Sequence, residues 1–438
     1  MVARMLGTRW PVARLCFLAI LSIGIVAAEG PWATAADAKT DHEQAAREAA
    51  ELVRQLGDDS FEARQRATLR LARLGLPAKE ALLVGLKSDD AEVRMRCRRV
   101  LAIVLDLDLK SRIEAFAADR DGKQQHDLPG WERYQQLVGN SATTRELFVE
   151  MQRSESDLLE AQAAAPDQVG PLMQARCEQL QQRAFGGNHA QRGQISLGSV
   201  AALFFVSTHP DVTVSDQMIS YLHTFSYQQS VQGAMRDAEQ AVPIKKLIGA
   251  WIAKPSGSPN AYQNFMLALQ FDLREGLAPA LAMLRDGGAQ PHIAQYALLL
   301  IGKFGSRADM AVVTPLLTDE NLLGSLSINN KEVRTELRDV ALAVAVHVTG
   351  QDLGAFGFEH LQKNPQMVFQ PMTAGFSTPA KREAAFKKWN EWLAAQPKDA
   401  APADAAAPAD AAAPAAPQPP APAAPTPPAA GVKIVPGR

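Results

Sequence analysis

Apolar residues recur at three- and four-residue spacing from about Asp41 to Gln396, and Gly, Pro, Asp and Ser break the pattern every 12 to 20 residues. That period belongs to helices that bury one face, so a string of short helices is expected. No clear run of alternating apolar and polar residues appears, and strands should be few.

The pattern also repeats. "LGDDSFEARQRATLRLARL" from Leu56 overlays "LKSDDAEVRMRCRRVLAIV" from Leu86 at a constant offset of 30 residues. Asp59 meets Asp89, Arg64 meets Arg94, Arg66 meets Arg96, Ala67 meets Cys97 and Leu71 meets Leu101. Later, Ala297, Ile301, Phe304 and Gly305 follow the spacing of Ala67, Leu71, Leu74 and Gly75. Val333 and Arg334 then stand like Val93 and Arg94, with Leu337, Ala341 and Val344 continuing the stripe. Asp59-Ser60, Asp89-Asp90 and Asn329-Asn330 precede these stripes, where side-chain oxygens can cap a helix N-terminus. Gly75 and Gly305 fit C-terminal stops, and Pro77 fits the first turn of a following helix. Each unit therefore reads as a pair of short antiparallel helices.

The ends differ from this body. Arg4, Arg9 and Arg14 precede the apolar run Leu15–Ala28, and an A-x-A site falls at Ala33-Thr34-Ala35. This is the layout of a cleavable secretory leader over 1–35, with an uncleaved N-terminal anchor as the alternative. Cys16 stands at the start of the run rather than after it and cannot be a lipoprotein cysteine. From Pro397 the chain is almost wholly Ala, Pro and Asp, a composition that buries no core and implies a disordered tail over 397–438. The chain closes on "VKIVPGR".

The chain has 438 residues, 45 Lys plus Arg against 47 Asp plus Glu, and 6% aromatics. A net charge of −2 disfavours a dedicated nucleic-acid binder. Even the arginine-rich stretch 51–112 holds 13 basic against 10 acidic residues. Cys97 and Cys177 remain once a leader is removed. Cys97 shares a stripe with Val93, Val100 and Val104 and reads as a buried thiol, with a Cys97–Cys177 bridge left open.

"DDSFEARQRATLRLARLGLPAKEALLVGLKSDDAEVRMRCRRVL" resembles HEAT repeats, specifically those of secreted bacterial HEAT-repeat proteins. The likeness is good over about 43–105, fair over 275–350 and weaker between. It implies an all-α solenoid of the armadillo-like kind: N-terminal repeats over 41–110, an irregular helical middle over 111–275, and C-terminal repeats with a capping helix over 276–396. It further implies that Asp59 and Asp89 pair with Arg64 and Arg94 across adjacent units, a register ladder that Arg334 continues. Arg66 and Arg96 are left as candidates for a partner-binding face. "KKWNEWL" (387–393) reads as a closing amphipathic helix in which Trp389 and Trp392 are further partner-site candidates, while Phe356 and Phe358 read as anchors of a terminal cap.

Chemistry is sparse. "AFGGNHAQRGQ" (184–194) is glycine-rich but lacks the lysine and the preceding strand of a phosphate loop. The eight histidines are scattered without H-E-x-x-H, and there is no G-x-S-x-G elbow or C-x-x-C. No catalytic, metal or cofactor residue is therefore assigned, and no cofactor is expected. The expectation is an exported, monomeric, non-catalytic scaffold in the periplasm or cell envelope that binds another protein and spans no membrane once its leader is gone. One alternative is an enzyme with a site around His189, His209 or His223 in the middle, which predicts a deep pocket with clustered ionisable groups. The other is a binder of an anionic polymer, which predicts Arg66 and Arg96 on one exposed basic stripe.

Overall fold

The computed structural model describes residues 35–186, 193–254, 260–328 and 331–396. The leader-like segment up to residue 34, the Ala/Pro tail from 397, His189 and the Asn329-Asn330 cap all lie outside them. The described chain is mostly helical and divides into two compact units, to Ser111 and from Arg112, with the boundary inside one long helix.

The first unit holds α1 (Ala35–Gln55), α2 (Phe61–Leu74), α3 (Lys79–Gly85) and the start of α4 (Ala91–Ala118). Ser60 caps α2 by accepting from the Ala63 N–H, and Asp90 accepts from Glu92 N at 2.8 Å to start α4. Gly75 ends α2 with φ of 67°, a left-handed value that glycine adopts without strain. Leu56, Ala67, Leu71, Leu82, Cys97 and Val100 are fully buried in one core. Gly85 faces Cys97 directly, and a methyl group there would also lie 2.8 Å from Val53 Cγ1. Cys97 and Cys177 are both buried and free.

The second unit continues through α5 (Trp131–Val138), α6 (Ala142–Ala164), α7 (Gly170–Phe185), α8 (Leu197–Ser207), α9 (Asp216–Ser226), α10 (Gln229–Arg236), α11 (Ala238–Ala253), α12 (Ala261–Phe271), α13 (Leu277–Asp286), α14 (Pro291–Phe304) and α15 (Met310–Val313). α8, "LGSVAALFFVS", is buried from Gly198 to Ser207, as an almost wholly apolar helix must be. It packs closely on α6, where Gly198 meets the Glu150 carbonyl. α6 breaks its helical geometry at Glu155 (φ −143°), whose buried carboxylate takes two bonds from Arg176 of α7 and one from Ser199 of α8. Among the described residues no helix is long and apolar enough to cross a membrane.

The C-terminal part departs from the helical expectation. Leu322–Ile328 and Lys331–Glu336 form an antiparallel hairpin, β1 and β2, with Ile328 paired to Lys331. Val333 and Thr335 are buried on one face while Arg334 is exposed on the other, a two-residue period rather than a helical one. Arg334 is thus a strand residue and not a rung of a helical ladder: its N–H and C=O pair with Phe376. α16 (Leu337–Val348) follows; β3 (Lys363–Asn364) and β4 (Val368–Phe369) form a second small ladder before α17 (Pro379–Ala394). Gly305 does follow α14, but with φ of −82° it is not left-handed.

α17 closes this end. Trp389 is 1% exposed and packs on Trp392 and Phe356, so it is a core side chain and not a partner surface; Trp392, stacked on it, is half-buried. Phe356 and Phe358 are both buried. Arg382 of α17 donates to both oxygens of the fully buried Asp339, at 2.8 and 2.9 Å, and to the Arg334 carbonyl at 2.9 Å. Burial pushes the Asp339 carboxyl up, and Arg382 opposes it.

Candidate functional site

Arg64 and Arg94 of the arginine-rich helices bond to their own preceding turns, while Arg64 Nε is buried without a hydrogen-bond partner, 3.9 Å from Glu92. Arg64 Nη1 donates to the carbonyls of Asp58 and Asp59, at 2.6 and 3.0 Å. Thirty residues on, Arg94 Nη1 does the same to Ser88 and Asp89, at 2.7 and 2.8 Å. The expected ladder is corrected on this point. The arginines bind the main chain of their own turn, five and six residues back, and the Asp59 and Asp89 carboxylates are not the acceptors. The physical reason is local: the turn before each helix exposes carbonyls that need donors, and a guanidinium on the first helical turn reaches them. Arg96 is also not a free surface cation, because its side chain is only 12% exposed and lies 2.6 Å from Glu92. Arg66 is exposed, so Arg66 and Arg96 do not share one exposed basic stripe.

A cleft of about 1040 Å³ lies instead in the second unit, between the 122–130 loop, the start of α5, the end of α6 and His209. Its ionisable lining is Arg133, Arg145, His126 and His209 against Asp127 and Glu132. No serine, threonine or cysteine is among the described residues that line it.

One wall is a closed ion cluster. Asp119 accepts from His126 Nε2 at 2.8 Å, from the N–H groups of Lys123 and Gln124, and from Arg145 Nη2 at 3.4 Å. Burial works against the Asp119 charge, yet these donors outweigh it and hold its carboxyl below the ordinary range. Arg145 also lies 3.9 Å over the Phe116 ring and donates to the Phe116 carbonyl at the end of α4. Asp119, His126 and Arg145 thus satisfy one another on this wall.

The opposite wall is different. Arg133 Nη1 donates to the Phe205 carbonyl at 3.1 Å and Nη2 to Thr208 Oγ1 at 2.6 Å, with the guanidinium 4.4 Å from the Phe205 ring centroid. These are neutral acceptors at the C-terminal end of α8. No carboxylate pairs with Arg133 among the described residues, and burial alone pulls its pKa down to about 10. Lys254 stands behind the same wall, its Nζ donating to the carbonyls of Ser207, His209 and Val212 at 3.2, 2.9 and 3.1 Å. Burial lowers the pKa of both Lys254 and His209, and the Arg133 charge lowers each further. His209 Nδ1 accepts from Asp211 N at 3.2 Å, which leaves Nε2 to carry the ring hydrogen.

Two more features belong to the cleft. Gly130 is the N-cap of α5 and offers no side-chain oxygen, so the early N–H groups of this helix have no side-chain cap. A methyl group on Gly130 would lie 3.1 Å from the Phe205 ring and 3.8 Å from Gln162 Oε1. Gln162 is 3% exposed, lines the cleft, and its Oε1 has no hydrogen-bond partner.

Of the histidines named from sequence, His209 is in this cleft, while His223 sits elsewhere, against Trp251. Arg133, Arg145, His126 and Gln162 were not singled out. Their signal was weak because the residues come from segments separated in sequence, and none forms a motif. No group of three or more metal-ligating side chains is assembled among the described residues. No family model, no curated protein and no solved structure matches the chain.

Proposed function

We propose that the chain is an exported, non-catalytic protein-interaction scaffold of the periplasm or cell envelope, built on HEAT-like helical repeats. The leader-like start and the repeat at an offset of 30 residues motivate this reading. The observation that carries it is the distribution of exposed apolar side chains. Nine of the seventeen large ones among the described residues fall between Phe61 and Leu107, including Phe61 at 63% and Val84 at 71% exposure. Large apolar side chains concentrated on one small unit favour a protein partner. The inward bonding of Arg64, Arg94 and Arg96 in the same unit disfavours an anionic polymer there, and the lack of Ser, Thr or Cys among the described residues lining the cleft disfavours nucleophilic catalysis in the middle.

The test is photo-crosslinking in the producing cell from a probe amino acid placed singly at Phe61, Val84 and Met95. One discrete protein adduct is expected from these positions, abolished by Val84→Asp in the Phe61-probe chain. Absence of any protein adduct at all three positions sinks the reading.

A further inference from the structure

We propose that the cleft at the start of α5 binds the C-terminal carboxylate of a polypeptide. This rests on the protein-binding reading and assigns a second, separate point of contact.

The argument begins with an unbalanced charge. A guanidinium has five N–H donors, and Arg133 uses two of them on neutral oxygens. The rest have no acceptor among the described residues. A half-buried cation without a counter-ion is costly, and it stays only if something offsets the cost. Here the neighbours add to the imbalance: Lys254 is positive, and Asp211 is the one acidic group that shifts Lys254 and His209 the other way. The field at this wall favours an oxyanion.

Donors for that oxyanion converge from the backbone as well. α5 starts at the cleft without a side-chain cap: the Trp131 N–H is taken by the Leu128 carbonyl at 3.1 Å, which leaves the N–H groups of Glu132 and Arg133, and the partial positive charge of a helix start adds to the guanidinium. Glycine at the cap position leaves the approach open. Glu132, on the exposed side of the same turn, and Asp127 are the opposing acids.

The second, independent observation fixes what accompanies the anion. Gln162 Oε1 is buried in the cleft with no donor, and the desolvation of such an acceptor is worth recovering. It sits across Gly130 from Phe205, the ring on which Arg133 lies. A ligand that satisfies both groups carries an oxyanion beside an N–H donor. The last residue of a polypeptide has that arrangement: a carboxylate for Arg133 and the α5 N-terminus, and its own amide N–H for Gln162. A free inorganic anion fills only the first part. The volume of the cleft is that of a site for several residues.

The experiment is isothermal titration of the full chain at neutral pH with N-acetyl-Ala-Ala-Ala-Leu ending in a free carboxylate, with the same peptide amidated, and with inorganic phosphate. Saturable binding of the acid is expected, weakened about tenfold or more by amidation, the value of one lost charge-assisted bond. Arg133→Gln should remove binding of the acid peptide. Because Arg133 also holds the end of α8, Gln162→Leu serves as the second variant. It should weaken the peptide several-fold, leave phosphate unchanged, and leave the melting temperature of the free protein the same or higher, since it deletes an unsatisfied buried acceptor. Equal affinity for acid and amide overturns the proposal. So does phosphate binding as tight as the acid peptide and as insensitive to Gln162→Leu. Failure here with persistent adducts at Phe61 and Val84 removes this site alone. Loss of those adducts with intact carboxylate binding removes the scaffold reading and keeps the cleft.

Discussion

Arginines in the two units meet their needs in opposite ways. In the first unit Arg64, Arg94 and Arg96 bond within a few residues of sequence, to carbonyls of the preceding turn or to Glu92. In the second unit Arg382 and Arg133 reach across the fold, 43 residues back for Arg382 to Asp339 and 72 residues forward for Arg133 to Phe205. The difference teaches where to look for function. A dense, periodic set of arginines is a repeated local device, and a solitary one with no carboxylate partner among the described residues is where a ligand is worth seeking.

The long-range pair gives the largest effect by which this contrast can be tested. Arg382→Met leaves the fully buried Asp339 carboxylate without its partner, and breaking a buried pair from one side costs about 3–5 kcal/mol. Urea unfolding of the full chain should show this as a large drop in midpoint. Arg382→Met with Asp339→Leu should recover much of it. A loss below about 1 kcal/mol in the single variant would mean that solvent reaches the pair.

Acid should separate the units next. His223 is 6% exposed, and burial lowers its pKa from 6.5 to about 4. The folded state therefore binds fewer protons than the unfolded chain between those values. Its contribution is fully present above pH 6.5 and is lost as pH falls towards 4, roughly 3 kcal/mol in all. In the first unit the Glu48 and Glu51 carboxyls are held below their ordinary range by Arg70 and Arg54, so their contribution is lost only at lower pH, below the ordinary value of 4.5. Trp131, Trp251, Trp389 and Trp392 all belong to the second unit, and residues 35–111 contain no tryptophan. With Trp10 and Trp32 replaced by phenylalanine, tryptophan fluorescence should report a stability loss that starts near pH 6.5, and His223→Gln should flatten it. A flat profile in the parent chain down to pH 4 would overturn the assignment.

How far these features could be read from sequence follows from their range. The helical body, the offset of 30, the Ser60 and Asp90 caps and the Gly75 stop depend on residues within one turn of each other, and one strand of text contains them. The β1–β2 hairpin was hidden because Asn329-Asn330 serves as a hairpin signal as well as a cap signal. Leu337 to Val344 then extend a true helix that seemed to begin earlier. The cleft was illegible for a different reason. Arg133, Gln162 and His209 come from three separate segments, and what marks Arg133 is the lack of a carboxylate partner among the described residues, which no spacing encodes.

Within the first unit, Gly85→Ala should come third. The added methyl meets Cys97 and Val53 where α3 approaches α4, and overpacking of this kind costs about 1–3 kcal/mol. Combining it with Cys97→Ala removes the main obstacle, so the double variant should be more stable than the single one in thermal unfolding followed by circular dichroism. If the double is worse than either single, the two sites do not face each other as described.

The smallest effect bears most directly on the repeat. Arg64→Met and Arg94→Met each delete a pair of bonds to carbonyls on a partly exposed turn, which should cost about 1 kcal/mol at each position. The two losses should be nearly equal, because each arginine bridges the carbonyls five and six residues before it. Asp59→Asn and Asp89→Asn should change stability by less than about 0.5 kcal/mol, since each aspartate contributes its main-chain carbonyl and the substitution preserves it. A carboxylate ladder predicts the reverse ranking for the aspartates, with the neutral variants costing as much as the arginine variants. Four single variants and one denaturant series therefore decide between main-chain and carboxylate recognition, and equality at the two arginine positions shows whether the 30-residue offset is a repeat of physics as well as of letters.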